Sequence, residues 1–344
     1  MKKTLLLFAA ICCMALTYAQ APIAMLQHGT NLTPFYGSDA LINAYNAAQD
    51  EDIITLSPGV FNACDIHKAI TVRGAGMMTD TATGTTRTYI DGIFTVENTD
   101  STKSISFEGI YFAGTIRPRV TWNLNFTKCF INKITIWDIY AHYVNNLNFV
   151  HCILPGYEQS NHHNVHFYNC AVCEPSGTSY FSNVDKTCYF DHCIIKLYCN
   201  DGWGTTSIDR IYSTNSILIP WDTANVTSPD NTCLHHEYAI GISHNANHFF
   251  HPTAYTDGHN LYNYSDFDEV FVNFNNEFTT FSDYHLLPGV AATRIGSDGT
   301  QIGIYGGSMP FDPRILNPSI GHITVGGQTN DQGQLPVTIE VVNE

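Results

Sequence analysis

Apolar and polar positions alternate within an eight-residue phrase that recurs from residue 70 to residue 218. The copies are ITVRGAGM (70–77), TYIDGIFT (88–95), ISFEGIYF (105–112), LNFTKCFI (124–131), LNFVHCIL (147–154), VHFYNCAV (165–172), CYFDHCII (188–195) and IYSTNSIL (211–218). The first position is apolar in most copies (Ile105, Leu124, Leu147, Val165). The third runs Val72, Ile90, Phe107, Phe126, Phe149, Phe167, Phe190 and then Ser213. Between them stand Ser106, Asn125, Asn148 and His166, so the period is two and the phrase begins as a strand with one buried face. The fifth position holds Gly74, Gly92, Gly109, Lys128, His151, Asn169, His192 and Asn215. Gly, Asn and His are types that tolerate positive φ, and the chain is expected to bend there. Strand, bend and second strand, repeated at about 20 residues, predict a solenoid. The expected fold is therefore all-β: a right-handed single-stranded parallel β-helix with rungs stacked ~4.8 Å apart. An antiparallel sandwich requires turn signals every ~8–12 residues and gives no reason for aligned columns.

The flanks carry other patterns. Ser38-Asp39 precedes a short amphipathic stretch, Ala40 to Gln49, read as a capped helix covering the amino-terminal end of the solenoid. Asp52–Gly59 reads as a strand and turn. Further rungs are expected through Tyr238–Ile242 and Phe271–Phe274. The alternating runs Ile320-x-x-Ile323-x-Val325 and Val337-x-Ile339-x-Val341 predict a terminal β-hairpin. The resulting division is a signal peptide over 1–19, a lead-in over 20–37, the β-helix with its cap over 38–309 and a strand tail over 310–344.

The signal peptide is read from Lys2-Lys3, the apolar run Leu5–Leu16 and Thr17-Tyr18-Ala19. Cleavage near Ala19 predicts export to the periplasm, cell surface or medium, and no other stretch is apolar enough to span a bilayer. Loss of the two lysines moves the formal net charge from −16 to about −18. Such a chain repels nucleic acid, and it repels acidic polysaccharide unless cations or a local basic spot intervene. Export favours disulfides, yet Cys129, Cys152, Cys170 and Cys193 fall in one inward column and read as buried thiols.

The opening GVFNACDIHKAITVRGAG (59–76), with Tyr284–Gly289 and Asp298–Gly303 as a closing element, resembles secreted bacterial right-handed parallel β-helix proteins of the pectate-lyase-like fold. The resemblance covers about residues 38–307. It implies sites on the outward face of a sheet or in the loops rising from it, in a group that spans lyases, hydrolases and adhesins. Fold alone does not choose among them.

Three sets of candidates follow. With phrase copies in adjacent rungs, Asp91 and Glu108 would lie one strand spacing apart, as a carboxylate pair for Ca²⁺ or for acid–base work. Arg117 and Arg119 would supply the cation that polyuronate lyases of this fold use in proton abstraction. The competing reading is a solvated charge ladder of Arg73, Asp91 and Glu108. Histidines at 151, 162, 163, 166 and 192 include groups able to ligate a metal or move a proton, although His151 and His192 sit in the bend column. Outward aromatics complete the list, with Tyr189, Tyr212, His166 and loop Trp203 as glycan contacts. No nucleotide or nucleophile-elbow motif occurs, so no cofactor is indicated beyond Ca²⁺ in the lyase case. The expected function is a glycan-binding or scaffold role, with a polysaccharide or glycoconjugate as partner. The alternative is a polysaccharide lyase or glycoside hydrolase using Asp91, Glu108 and Arg119.

Overall fold

The computed structural model describes residues 21–79, 84–136, 144–158, 162–173, 187–197, 210–220, 234–242, 261–315, 319–325 and 337–342. The signal segment and Trp203 lie outside them. The fold is mostly β, built on one large, mostly parallel sheet of 22 strands beside a separate two-stranded sheet. None of the described helices is long and apolar enough to cross a membrane.

The pairings of the large sheet fall into three ladders. The first stacks Ile53–Leu56, Thr71–Arg73, Ile105–Glu108, residues 121–127, Val144–Val150, His162–Tyr168, Thr187–Asp191, Arg210–Thr214 and Leu234–Glu237, all parallel. The second stacks Gly59–Asn62, Thr88–Asp91, residues 111–112 and 130–131, Ile153–Leu154, Ala171–Cys173, Ile194–Leu197, Ile217–Pro220, Ala239–Ile242 and Leu261–Tyr264. The third joins Phe94–Asn98 to residues 116–121, 134–135 and Tyr157–Glu158. One long strand, Tyr111–Thr127, takes part in all three ladders and so links them as one sheet.

The phrase column holds with two corrections. Gly109, Lys128, His151, Asn169, His192 and Asn215 all take φ between 49° and 65°, and Tyr238 joins them at 50°. Gly74 does not take positive φ. It is glycine because a Cβ there would strike the Gly109 carbonyl and the Ile110 side chain. The copy at 88–95 is out of register: Thr71–Arg73 pairs directly with Ile105–Glu108, and Thr88–Asp91 belongs to the second ladder. Gly92 also takes positive φ, at 107°. Strand–glycine–strand therefore reads alike at either corner, which is why the pattern alone counted one rung as two.

The three ladders share an interior. Phe107, Phe126, Phe149, Phe167 and Phe190 stack in sequence with centroids 5.3, 5.3, 4.7 and 4.5 Å apart. Phe94, Phe112 and Tyr157 meet this stack edge-on from the other ladders. Cys129, Cys152, Cys170 and Cys193 are fully buried free thiols in one column. Cys152 and Cys193 donate to the carbonyls of Phe126 and Phe167, each at 3.4 Å. Burial pushes the thiols of Cys129, Cys152 and Cys170 well above their ordinary pKa. The thiolate is the reactive form, so these three sites are expected to resist an aromatic disulfide reagent in the native protein and to react on unfolding. Rapid native-state labelling of any of them, followed by peptide mapping, would contradict this arrangement.

The ends depart further from expectation. The lead-in is an antiparallel hairpin, Ile23–His28 with Asn31–Tyr36, and its first strand also pairs antiparallel with Ile53–Leu56. The helix spans Ala40–Ala47 and buries Leu41, Ala44 and Tyr45 in the shared core, as its apolar spacing predicts. Asp39 stands at its N-cap without capping it; the carboxylate accepts from Asn62 Nδ2 at 2.7 Å instead. Of the two later rungs expected, Ala239–Ile242 forms and residues 271–274 do not. Among the described residues the last rung is Leu261–Tyr264, well before residue 309. From Phe267 onward the chain lays Phe271, Phe274, Tyr284, Leu286 and Val290 over the outward side of the second ladder, against Ile194, Ile217 and Ile240. From residues 130–131 to Ala239–Ile242 that ladder is therefore buried on both faces, while Val60 and Asp91 on its first rungs stay exposed. Beyond the helix Pro288–Thr293, the expected closing element becomes a strap that returns along the bend column. Ser297 N–H donates to Asn215 Oδ1 (2.8 Å), and Asn169 Nδ2 donates to the carbonyls of Ile304 and Gly306 (2.8 Å each). Further along, His151 Nε2 meets the Met309 carbonyl (2.9 Å) and Lys128 Nζ the Arg314 carbonyl (2.7 Å). Ser319–Val325 and Val337–Val342 form the expected terminal hairpin.

Candidate functional site

With the second ladder covered, the outward side of the first is the face that keeps the predicted contact residues at the surface. Its central column runs Ser106, Asn125, Asn148, His166, Tyr189 and Tyr212, in register from rung to rung. The lower half is an amide ladder: Asn148 Nδ2 donates to Asn125 Oδ1 at 2.9 Å, and Asn125 Nδ2 to Ser106 Oγ at 3.3 Å. Beside it runs a second asparagine column. Asn123, Asn146 and Asn164 take φ of 51°, 62° and 57°, and Asn146 donates to Asn123 and Asn164 to Asn146. Sequence reasoning missed this column. Its signal was an Asn immediately before three consecutive phrases, the same residue type that the bends had already marked for positive φ.

The upper half is aromatic. His166 and Tyr189 stack at 4.7 Å and 12°, and Tyr189 and Tyr212 at 5.3 Å and 14°. Tyr189 is 39% exposed and Tyr168, one strand position pair along, 37%. His166 is half-buried, and burial lowers its pKa, which favours the neutral ring. Its Nε2–H donates to Asn164 Oδ1 at 2.8 Å, leaving Nδ1 to accept the Tyr168 hydroxyl at 3.3 Å. The stack changes what these residues can do. Both faces of Tyr189 are spent on neighbouring rings, so this residue offers no platform for a sugar ring. The face presents ring edges instead: two tyrosine hydroxyls in line, a third at Tyr168, and amide groups below. That is a hydrogen-bonding row with the rung spacing of the sheet.

The proposed catalytic set is not brought together. Asp91 lies at the exposed end of a second-ladder strand, opposite Asn62. Glu108 is in the first ladder, 3.3 Å from Arg73 Nε, the charge pair that the competing reading anticipated. Arg117 and Arg119 are exposed on the third ladder, Arg117 opposite Thr95 and Arg119 within the local bulge. The carboxylate pair rested on the register of the 88–95 copy and is lost with it. His163 pairs through its backbone with Asn145, while His151 and His192 are turned to the strap. Among the described residues no group of three or more His, Cys, Asp or Glu is placed to hold a metal ion.

A polar cleft of about 260 Å³ opens near the amino-terminal end, lined by Asp50, His67, Glu97, Asn98, Asp100 and Lys103 among others. Its charges are largely answered from within. Lys103 Nζ lies 2.6 Å from Asp50 and holds that carboxyl below the usual carboxylate range, the Thr102 hydroxyl does the same for Asp100, and His67 lies 3.7 Å from Glu97. Comparison with family models, curated proteins and solved structures finds no match to this chain.

Proposed function

We propose that this chain is an exported right-handed parallel β-helix that binds an extended glycan along the outward face of its first ladder and does not cleave it. The observation that carries this reading is the continuous row Asn125–Asn148–His166–Tyr189–Tyr212, one polar side chain per rung, with amides in its lower half and tyrosine hydroxyls in its upper half. The β-helix reading is supported by the three parallel ladders around one interior and by the strong right-handed preference of parallel crossovers. Export is supported by the pattern of residues 1–19. A neutral glycan fits better than an acidic one, because the mature chain is strongly negative and Arg73 is already paired with Glu108.

The test is affinity electrophoresis of the mature protein in gels containing neutral or acidic polysaccharides, with parallel assays for unsaturated uronate and new reducing ends. Retardation by a neutral polymer is expected, without product. Each of Tyr189→Phe and Tyr212→Phe, which keep the stack and remove one hydroxyl, is expected to weaken binding about fivefold, the ratio for one net hydrogen bond of about 1 kcal/mol. Unchanged retardation in the double variant would remove this face from the binding site. Product formation would restore the enzyme reading, with Arg119→Ala as its first variant.

A further inference from the structure

The strap is held by one polar bend residue at each of several rungs, and His151 differs from the rest. Asn169 holds its two carbonyls with a neutral amide. His192 has Asp191 at 3.0 Å from Nδ1 and Asp298 at 3.4 Å from Nε2, a carboxylate for each ring nitrogen. His151 is buried, and its Nε2 faces a carbonyl, so Nε2 carries the hydrogen. Its Nδ1 is buried without a hydrogen-bond partner. A second proton would put a charge on a buried ring whose Nδ1 has no hydrogen-bond partner in the latched state, which is costly in a way the neutral ring is not.

We propose that protonation of His151 unlatches the far end of the strap, residues 307–315, while the part anchored at Asn215, His192 and Asn169 stays in place. The fold then contains an acid-operated strap. Phe311 packs 6.1 Å from the His151 ring and 6.0 Å from Tyr305, within the apolar layer that also buries Phe130. Release of this end uncovers Phe130 and the Tyr111 ring stacked on it at 4.2 Å.

The groups around His151 act in both directions. Burial lowers its pKa most, and Lys128 on the preceding rung adds to that. The Met309 carbonyl and Asp312 on the strap oppose it, and Asp312 is itself paired with Arg314 at 2.9 Å. Asn169 on the following rung is neutral. The net direction is downward, so the released ring binds a proton more readily than the latched one. Stability of the latch is complete above the ordinary histidine value of about 6.5 and declines as pH falls from there through the latched value.

Amide hydrogen exchange across residues 297–315 between pH 7.5 and 5, corrected for intrinsic rates, tests the device. Opening of 307–315 is expected to rise about tenfold per pH unit below about 6.5, while 297–303 changes less. In His151→Asn, where the amide copies the Asn169 contact and tolerates positive φ, the pH dependence should vanish. Uniform protection of the wild type across this range, or an unchanged pH dependence in the variant, would overturn the proposal. Ring NMR of wild-type His151 gives an answer that needs no variant: titration at or above about 6.5 in the folded protein would also overturn it.

Discussion

Phe149→Ala is expected to cost about 3–5 kcal/mol of unfolding free energy, the range for emptying a phenylalanine site in a close-packed core. Phe149 is fully buried and lies mid-stack, 5.3 Å from Phe126 and 4.7 Å from Phe167, with Tyr157 edge-on at 6.1 Å. In a stacked array each rung is supported mainly by its neighbours, so a hole in the middle weakens both adjacent interfaces. Phe190 makes a useful comparison, because the rung beyond it supplies Ser213 in place of a ring. Phe190→Ala should cost less, since only one stacking partner is lost. Urea unfolding of the two variants checks both statements. A loss below about 1 kcal/mol for Phe149→Ala would mean that the stack does not hold the interior together.

Asn169→Ala is the second large effect, expected at about 3 kcal/mol or more. The residue is buried, takes φ of 49° and gives both amide hydrogens to the strap. Alanine leaves the Ile304 and Gly306 carbonyls without those donors in a buried place, at about 1–3 kcal/mol each if unrelieved. It also holds a Cβ-bearing residue without a helpful side chain in the left-handed region, at about 1–2 kcal/mol. Asn169→Gly separates the two causes: it relieves φ and still lacks the donors, so it should recover about 1 kcal/mol of the loss. If alanine and glycine variants both unfold like wild type, the strap contributes nothing to stability at this rung.

Much of this architecture is visible in local pattern. The period-two alternation marks the first-ladder strands, and the Gly/Asn/His column marks the bends because positive φ is a single-residue property. The thiol column and the Phe stack follow from the same register. Even the covered part of the second ladder left a trace, since CII (193–195), ILIP and AIGI are continuous apolar runs of the kind that strands buried on both faces show.

What local pattern could not supply was decided by distance. Strand–glycine–strand at 88–95 matches the phrase residue by residue, yet its place in the second ladder depends on how far round the chain has travelled. Loop length hides that, and with it went the Asp91–Glu108 pair. The sequence by itself determined the all-β class, the bend column, the thiol column and the terminal hairpin. Each depends on side-chain type at a fixed short spacing. Tertiary structure alone decided which ladder is sealed and which remains open. The strap from Gly296 to Arg314 meets the bend residues Lys128, His151, Asn169, His192 and Asn215 through polar contacts whose strap-side partners carry no period. Both ring faces of Tyr189 were likewise consumed by His166 and Tyr212 on the neighbouring rungs, so a residue that sequence offered as a glycan contact presents its edge instead.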